Sequence, residues 1–81
     1  MTTMFVRHRV ADYAAWRHVY DGATAIREQG GVLAAAVYQS AEDPNELTVA
    51  HDFASVEAAR AFGADPRLRE AMDAAGVVGA P

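Results

Sequence analysis

Met4-Phe-Val-Arg-His-Arg-Val10, with Asp12 close behind it, is the stretch that decides the fold. Its side chains alternate, which puts Met4, Val6, His8 and Val10 on one face and Phe5, Arg7 and Arg9 on the other, the period of a strand. Asp12 then reads as a helix N-cap, its carboxylate able to take amides left free in the first turn. The spacing predicts a helix from Tyr13 to Gln29, with Trp16, Val19, Tyr20, Ala23 and Ile26 as its buried stripe and Gly30-Gly31 as its end. Gly22 weakens that helix slightly.

Working outward, Val32 to Gln39 is a second strand rich in Ala and Val, and Ser40-Ala-Glu-Asp-Pro-Asn-Glu46 has the composition of a hairpin connection. Leu47-Thr-Val-Ala-His-Asp-Phe53 alternates again: Leu47, Val49, His51 and Phe53 share one face, Thr48, Ala50 and Asp52 the other. Ser55 caps a helix to about Phe62. Asp65-Pro66 starts another, expected to run to about Ala75 and to stop at Gly76. Val77-Val78 begins a further element that Gly79-Ala80-Pro81 cuts short. The order strand, helix, strand, strand, helix, stub predicts an α+β domain with an antiparallel sheet in the ferredoxin-like βαββα(β) order, its fourth strand short or missing. The first and third strands are then central, and both crossovers cover one face. That face carries Met4, Val6, Val10, Leu47, Val49 and Phe53. The other, with Arg7, Arg9, Thr48 and Asp52, needs a cover, for which a second sheet is the natural candidate.

Composition bounds the rest. Residues 1–81 make one small domain, and although 52% are apolar, nineteen of those are Ala, leaving 23 large apolar side chains. A core that thin is marginal below roughly 70–80 residues, so association is expected, and without Cys no disulfide can replace it. No apolar run approaches the ~18–20 residues of a membrane span, and the N-terminus lacks the pattern of a signal peptide; a cytoplasmic location is expected. The net charge is −4 and the seven Arg are scattered, with no Lys, which argues against a nucleic-acid footprint.

Phe5-Val-Arg-His-Arg-Val10 entering a helix, and Leu47-Thr-Val-Ala-His-Asp-Phe-Ala-Ser55 leading into a second, resemble the dimeric α+β barrel proteins that include antibiotic biosynthesis monooxygenases, small polyketide cyclases and haem-degrading monooxygenases. The resemblance covers residues 4 to 78. It implies a homodimer formed through the sheets. It also implies cofactor-independent oxygenase or cyclase chemistry on an aromatic or polyketide-type molecule. The haem-degrading members carry an Asn on the first strand, a Trp on the second helix and a His ligand further on. By spacing, His8, Phe62 and Met72 occupy those places here, so haem is not expected.

Among the residues themselves, His8 and His51 stand out as candidate catalytic groups. Both are expected beneath the helices, near Trp16, Tyr20 and Phe62, where an imidazole can serve as a base near neutral pH. The alternative is a pair of core histidines, each hydrogen-bonded to a carbonyl, a Tyr hydroxyl or the other His. Tyr20 is a third candidate, donating to a substrate oxygen or to His51, while Trp16, Phe53 and Phe62 are expected to line a substrate pocket. Tyr13 and Tyr38 would add aromatic surface for a flat ligand. Two imidazoles with no carboxylate on their face complete no common metal site, so no metal is expected. Arg7 and Arg9 are expected to pair with Asp52 or with a second subunit, and His18 to lie on the surface. Ser40 and Ser55 sit in no nucleophile elbow, and no Gly loop cradles phosphate. Two functions therefore stand side by side: a cofactor-free oxygenase or cyclase, and a non-catalytic small-molecule-binding or structural homodimer.

Overall fold

Alternation and caps place the elements much as the sequence predicts. In a computed structural model, which describes residues 1–78, the chain forms β1 (Thr2–Val10), α1 (Tyr13–Gly22), α2 (Thr24–Gln29), β2 (Ala34–Gln39), β3 (Glu46–Phe53), α3 (Val56–Gly63), α4 (Pro66–Ala74) and β4 (Val77–Val78). The three predicted caps are in place. Asp12 accepts from the Ala15 amide at 2.9 Å, Ser55 from Ala58 at 3.1 Å and Asp65 from Arg67 at 2.9 Å.

The sheet has the order β2-β3-β1-β4 with every neighbouring pair antiparallel, an arrangement compatible with the ferredoxin-like order. β1 and β3 are central. Val6 lies opposite Val49, His8 opposite Leu47 and Met4 opposite His51. β4 is two residues long and pairs with Arg9 and Val10; the remainder of the expected tail, 79–81, lies outside the described residues. Asn45 ties the β2–β3 hairpin to the start of α1, since its carbonyl accepts from Val10 at 2.8 Å and its side chain from Tyr13 at 2.8 Å.

The predicted single helix over Tyr13–Gln29 is instead two. Ala23, at φ −100° and ψ 23°, breaks the ladder between α1 and α2. Gly22 lowers the cost of leaving the helix there, and the carbonyls set free at the end of α1 find other donors. The Thr24 hydroxyl donates to Asp21 O at 3.0 Å, and the Arg27 guanidinium donates to Tyr20 O at 2.6 Å. β2 starts at Ala34 rather than Val32 because Gly31, at φ +85°, is still turning the chain.

All the helices contribute to one face of the sheet, and the core there is in two parts. Val10, Trp16, Leu47, Val49 and Ala75 form one cluster; Phe53, Ala59 and Phe62 form the other. His8 and His51 lie between them. The His8 ring meets Trp16 edge-on at 5.7 Å, and His51 meets Phe53 and Phe62 edge-on at 6.5 and 5.6 Å. The opposite face of the sheet carries no helix, and on it Phe5 and Tyr38 are 67% and 57% exposed.

Candidate functional site

Twenty-three large apolar side chains do not fill the space between sheet and helices. A half-open cavity of about 170 Å³ remains at the junction of the two core clusters, its walls almost wholly apolar. Met4, Val6, His8, Val49 and His51 form its floor on β1 and β3. Trp16, Val19 and Tyr20 of α1, Ile26 and Arg27 of α2, Phe62 of α3 and Met72 of α4 form its walls. The floor follows from β alternation, which sends every second side chain of two adjacent central strands toward the helices.

The two imidazoles are 8% and 5% exposed, and burial dominates their chemistry. For His8 it lowers the pKa below the usual histidine range. For His51 burial is again the main cause, the Arg27 charge adds to it and Asp52 opposes it, and the pKa falls to about 4. Both rings are therefore neutral at pH 7. A neutral imidazole carries one donor and one acceptor nitrogen. His51 Nε2 lies 2.9 Å from the Tyr20 hydroxyl, but its Nδ1 has no partner among the described residues. Neither nitrogen of His8 has one among the described residues. These three buried ring nitrogens, left unpaired by the described residues, belong to the two histidines that line the cavity. Each ring, being neutral, keeps a lone pair that can accept a proton, while the burial that lowers its pKa also weakens it as a base.

Trp16, Tyr20 and Phe62, expected around the two histidines, do line the cavity. Trp16 and Tyr20 stack at 4.7 Å, and Tyr20 bridges to His51. Burial raises the Tyr20 pKa while Arg27 and Arg17 oppose the rise, so the phenol stays protonated. Other placements differ from expectation. Phe53 is fully buried and packs behind Phe62, ring centroids 5.6 Å apart, so it supports the wall without forming it. Tyr38 lies on the helix-free face, across the sheet from the cavity, because it falls in register with Thr48. Tyr13 stacks on the far side of Trp16.

Arg7 and Arg9 do not reach Asp52. Arg9 meets Asp43 at 2.6 Å and Glu46 at 3.8 Å, and Arg7 meets Glu46 at 3.8 Å, because the register sets this end of β1 beside the start of β3. Asp52, at the other end, accepts from the Thr3 hydroxyl at 2.6 Å. Among the described residues no three His, Asp or Glu side chains converge as metal ligands. No helix of the described residues is long and apolar enough to cross a membrane.

Sequence reading overlooks Arg27. Its guanidinium lies 3.8 Å from the Tyr20 ring centroid and is the only charged group lining the cavity among the described residues. The signal for it is the helix break: Gly22, and Thr24 three residues after Asp21, mark where the chain turns and so which residue folds back over Tyr20.

Compared with known proteins, the chain matches no protein-family model and no curated protein sequence at a significant level.

Proposed function

We propose that this chain is a small cofactor-independent monooxygenase or cyclase acting on an aromatic or polyketide-type molecule in the cavity between sheet and helices. The observation that carries the reading is the pair of neutral, buried imidazoles with unpartnered nitrogens bordering an apolar space. His8, with no hydrogen bond to give up, is the better base; His51 is engaged with Tyr20 and acts through it, the phenol donating to a substrate oxygen. Trp16 and Phe62 hold the ring. Such chemistry needs only a base, a donor and a dry pocket. Deprotonation of an activated ring methylene gives a carbanion that reduces oxygen. The hydroperoxide then loses water, so that CH2 and O2 become C=O and H2O. A poly-β-ketone deprotonated in the same place closes by aldol addition instead.

The sheet order supports a ferredoxin-like subunit, and the helix-free face supports pairing of two such subunits through their sheets. The reading is tested by oxygen uptake with a panel of one- to three-ring hydroxyaromatics, an anthrone and 1,4-dihydroxynaphthalene among them. Acceleration by the protein is expected, with a loss of about 10²-fold or more in His8→Leu. The same substitution should stabilise the fold by about 1–2 kcal/mol in urea unfolding, since it removes two unpartnered nitrogens from an apolar site. No acceleration by the wild type, or a His8→Leu protein as active as the wild type, would refute it. A second reading, a non-catalytic small-molecule-binding homodimer, is favoured by the size of the cavity. About 170 Å³ is near that of a cavity that encloses benzene, so a three-ring ligand would have to protrude.

A further inference from the structure

Arg27 is an unusual wall for an apolar cavity. Of the five N–H groups of its guanidinium, one donates to Tyr20 O at 2.6 Å and one meets Thr24 Oγ1 at 3.3 Å. The others have no partner among the described residues, and none of its nitrogens lies within salt-bridge distance of a described carboxylate. Glu28, next to Arg27 in the chain, is not paired with it, and Asp21, six residues before it, is held by Arg17 at 3.0 Å. The cavity wall thus carries one full positive charge, no negative charge and two neutral imidazoles, and the guanidinium is part-buried where it meets Tyr20. An apolar space of one-ring size with one uncompensated cation at its wall is complementary to a small aromatic ring bearing one negative oxygen.

Building on the proposed chemistry, we infer that the ligand is a single-ring phenol or enol bound as its anion, with Arg27 holding the phenolate oxygen. Arg27 is then both the selectivity residue and the group that stabilises the charge left behind when the proton departs. The tight stack on Tyr20 fixes the guanidinium in place before the ligand arrives, so little ordering is needed on binding.

4-Nitrophenol and 4-nitroanisole, which differ by one methyl group and by the capacity to ionise, are suitable probes. Calorimetric titration of the whole chain at pH 8 should show the phenolate binding about tenfold or more tighter than the anisole. The visible absorption of bound 4-nitrophenol should show its ionisation midpoint lowered by about one pH unit, the same factor of ten seen spectroscopically. Arg27→Gln should abolish the preference and return the midpoint to that of free 4-nitrophenol while the anisole still binds; Arg27→Lys should keep part of both. Equal binding of the two probes to the wild type, which needs no variant to fold, overturns the assignment of Arg27 and leaves the proposed pocket standing. Binding of neither probe overturns both.

Discussion

His51 shows how one buried side chain makes the whole fold sensitive to pH. Its pKa is about 4 in the folded chain against 6.5 when exposed, so between those values the unfolded chain holds a proton that the folded one does not. Stability is complete above about pH 6.5 and falls as the pH drops toward 4, by about 3 kcal/mol. His8, lowered in the same direction, adds to the loss. Asp43 and Asp65 have pKa values held below 3.8 by their arginine and backbone partners, and they act only under that window. Urea unfolding at pH 7.5 and 4.5 checks this. The difference should shrink by more than half in His51→Gln, and equal stability at the two pH values would contradict it. The histidines were legible in the sequence as a pair on one face, because strand alternation is a local rule. Their lack of partners was not, since it depends on what the helices bring over them.

At the scale of elements, two glycines have opposite roles. Gly22 sits at the end of α1 with open space where a Cβ would project, so Gly22→Ala should raise stability by about 0.5–1 kcal/mol. Gly30 closes α2, and a Cβ there would collide with the Phe62 ring. Phe62 is 2% exposed and has little room to retreat, so Gly30→Ala should cost about 1–3 kcal/mol. Thermal unfolding of the two variants distinguishes them, and a Gly30→Ala protein as stable as the wild type would mean that Phe62 is not wedged against α2. The sequence places Gly30 as a helix end, a role any small residue at φ −82° could fill. That it must also be Gly, because an aromatic ring from a segment thirty-two residues away lies against it, emerges only from packing.

For the whole molecule, the thin core and the bare sheet face are two sides of one shortage. The large apolar residues are too few to fill one side of the sheet, yet Phe5 and Tyr38 are spent on the other, where Ala36 and Ala50 lie between them. A sheet face with exposed aromatics is a recognised place for another surface to dock. In the homodimer proposed above these residues are covered by their counterparts, and removing them should undo the pairing. Light scattering at micromolar concentration is expected to give twice the mass of the 8.6 kDa chain, and Tyr38→Asp combined with Phe5→Asp should give the single mass with lower thermal stability. A wild type that scatters as a monomer would remove the basis for a sheet-to-sheet pair.

The order of strands and helices, the caps at Asp12, Ser55 and Asp65, and the face on which each strand residue lies were all settled by the sequence itself. These depend on alternation, on a carboxylate or hydroxyl beside free amides, and on Pro and Gly at helix ends, all of which act within a few residues. Tertiary structure alone decided that Arg9 meets Asp43 and not Asp52 and that the space beside His8 stays open. Each of these is set by distances between groups far apart in the chain and by whether side-chain volumes fill the gap between sheet and helices, a sum that no local pattern contains.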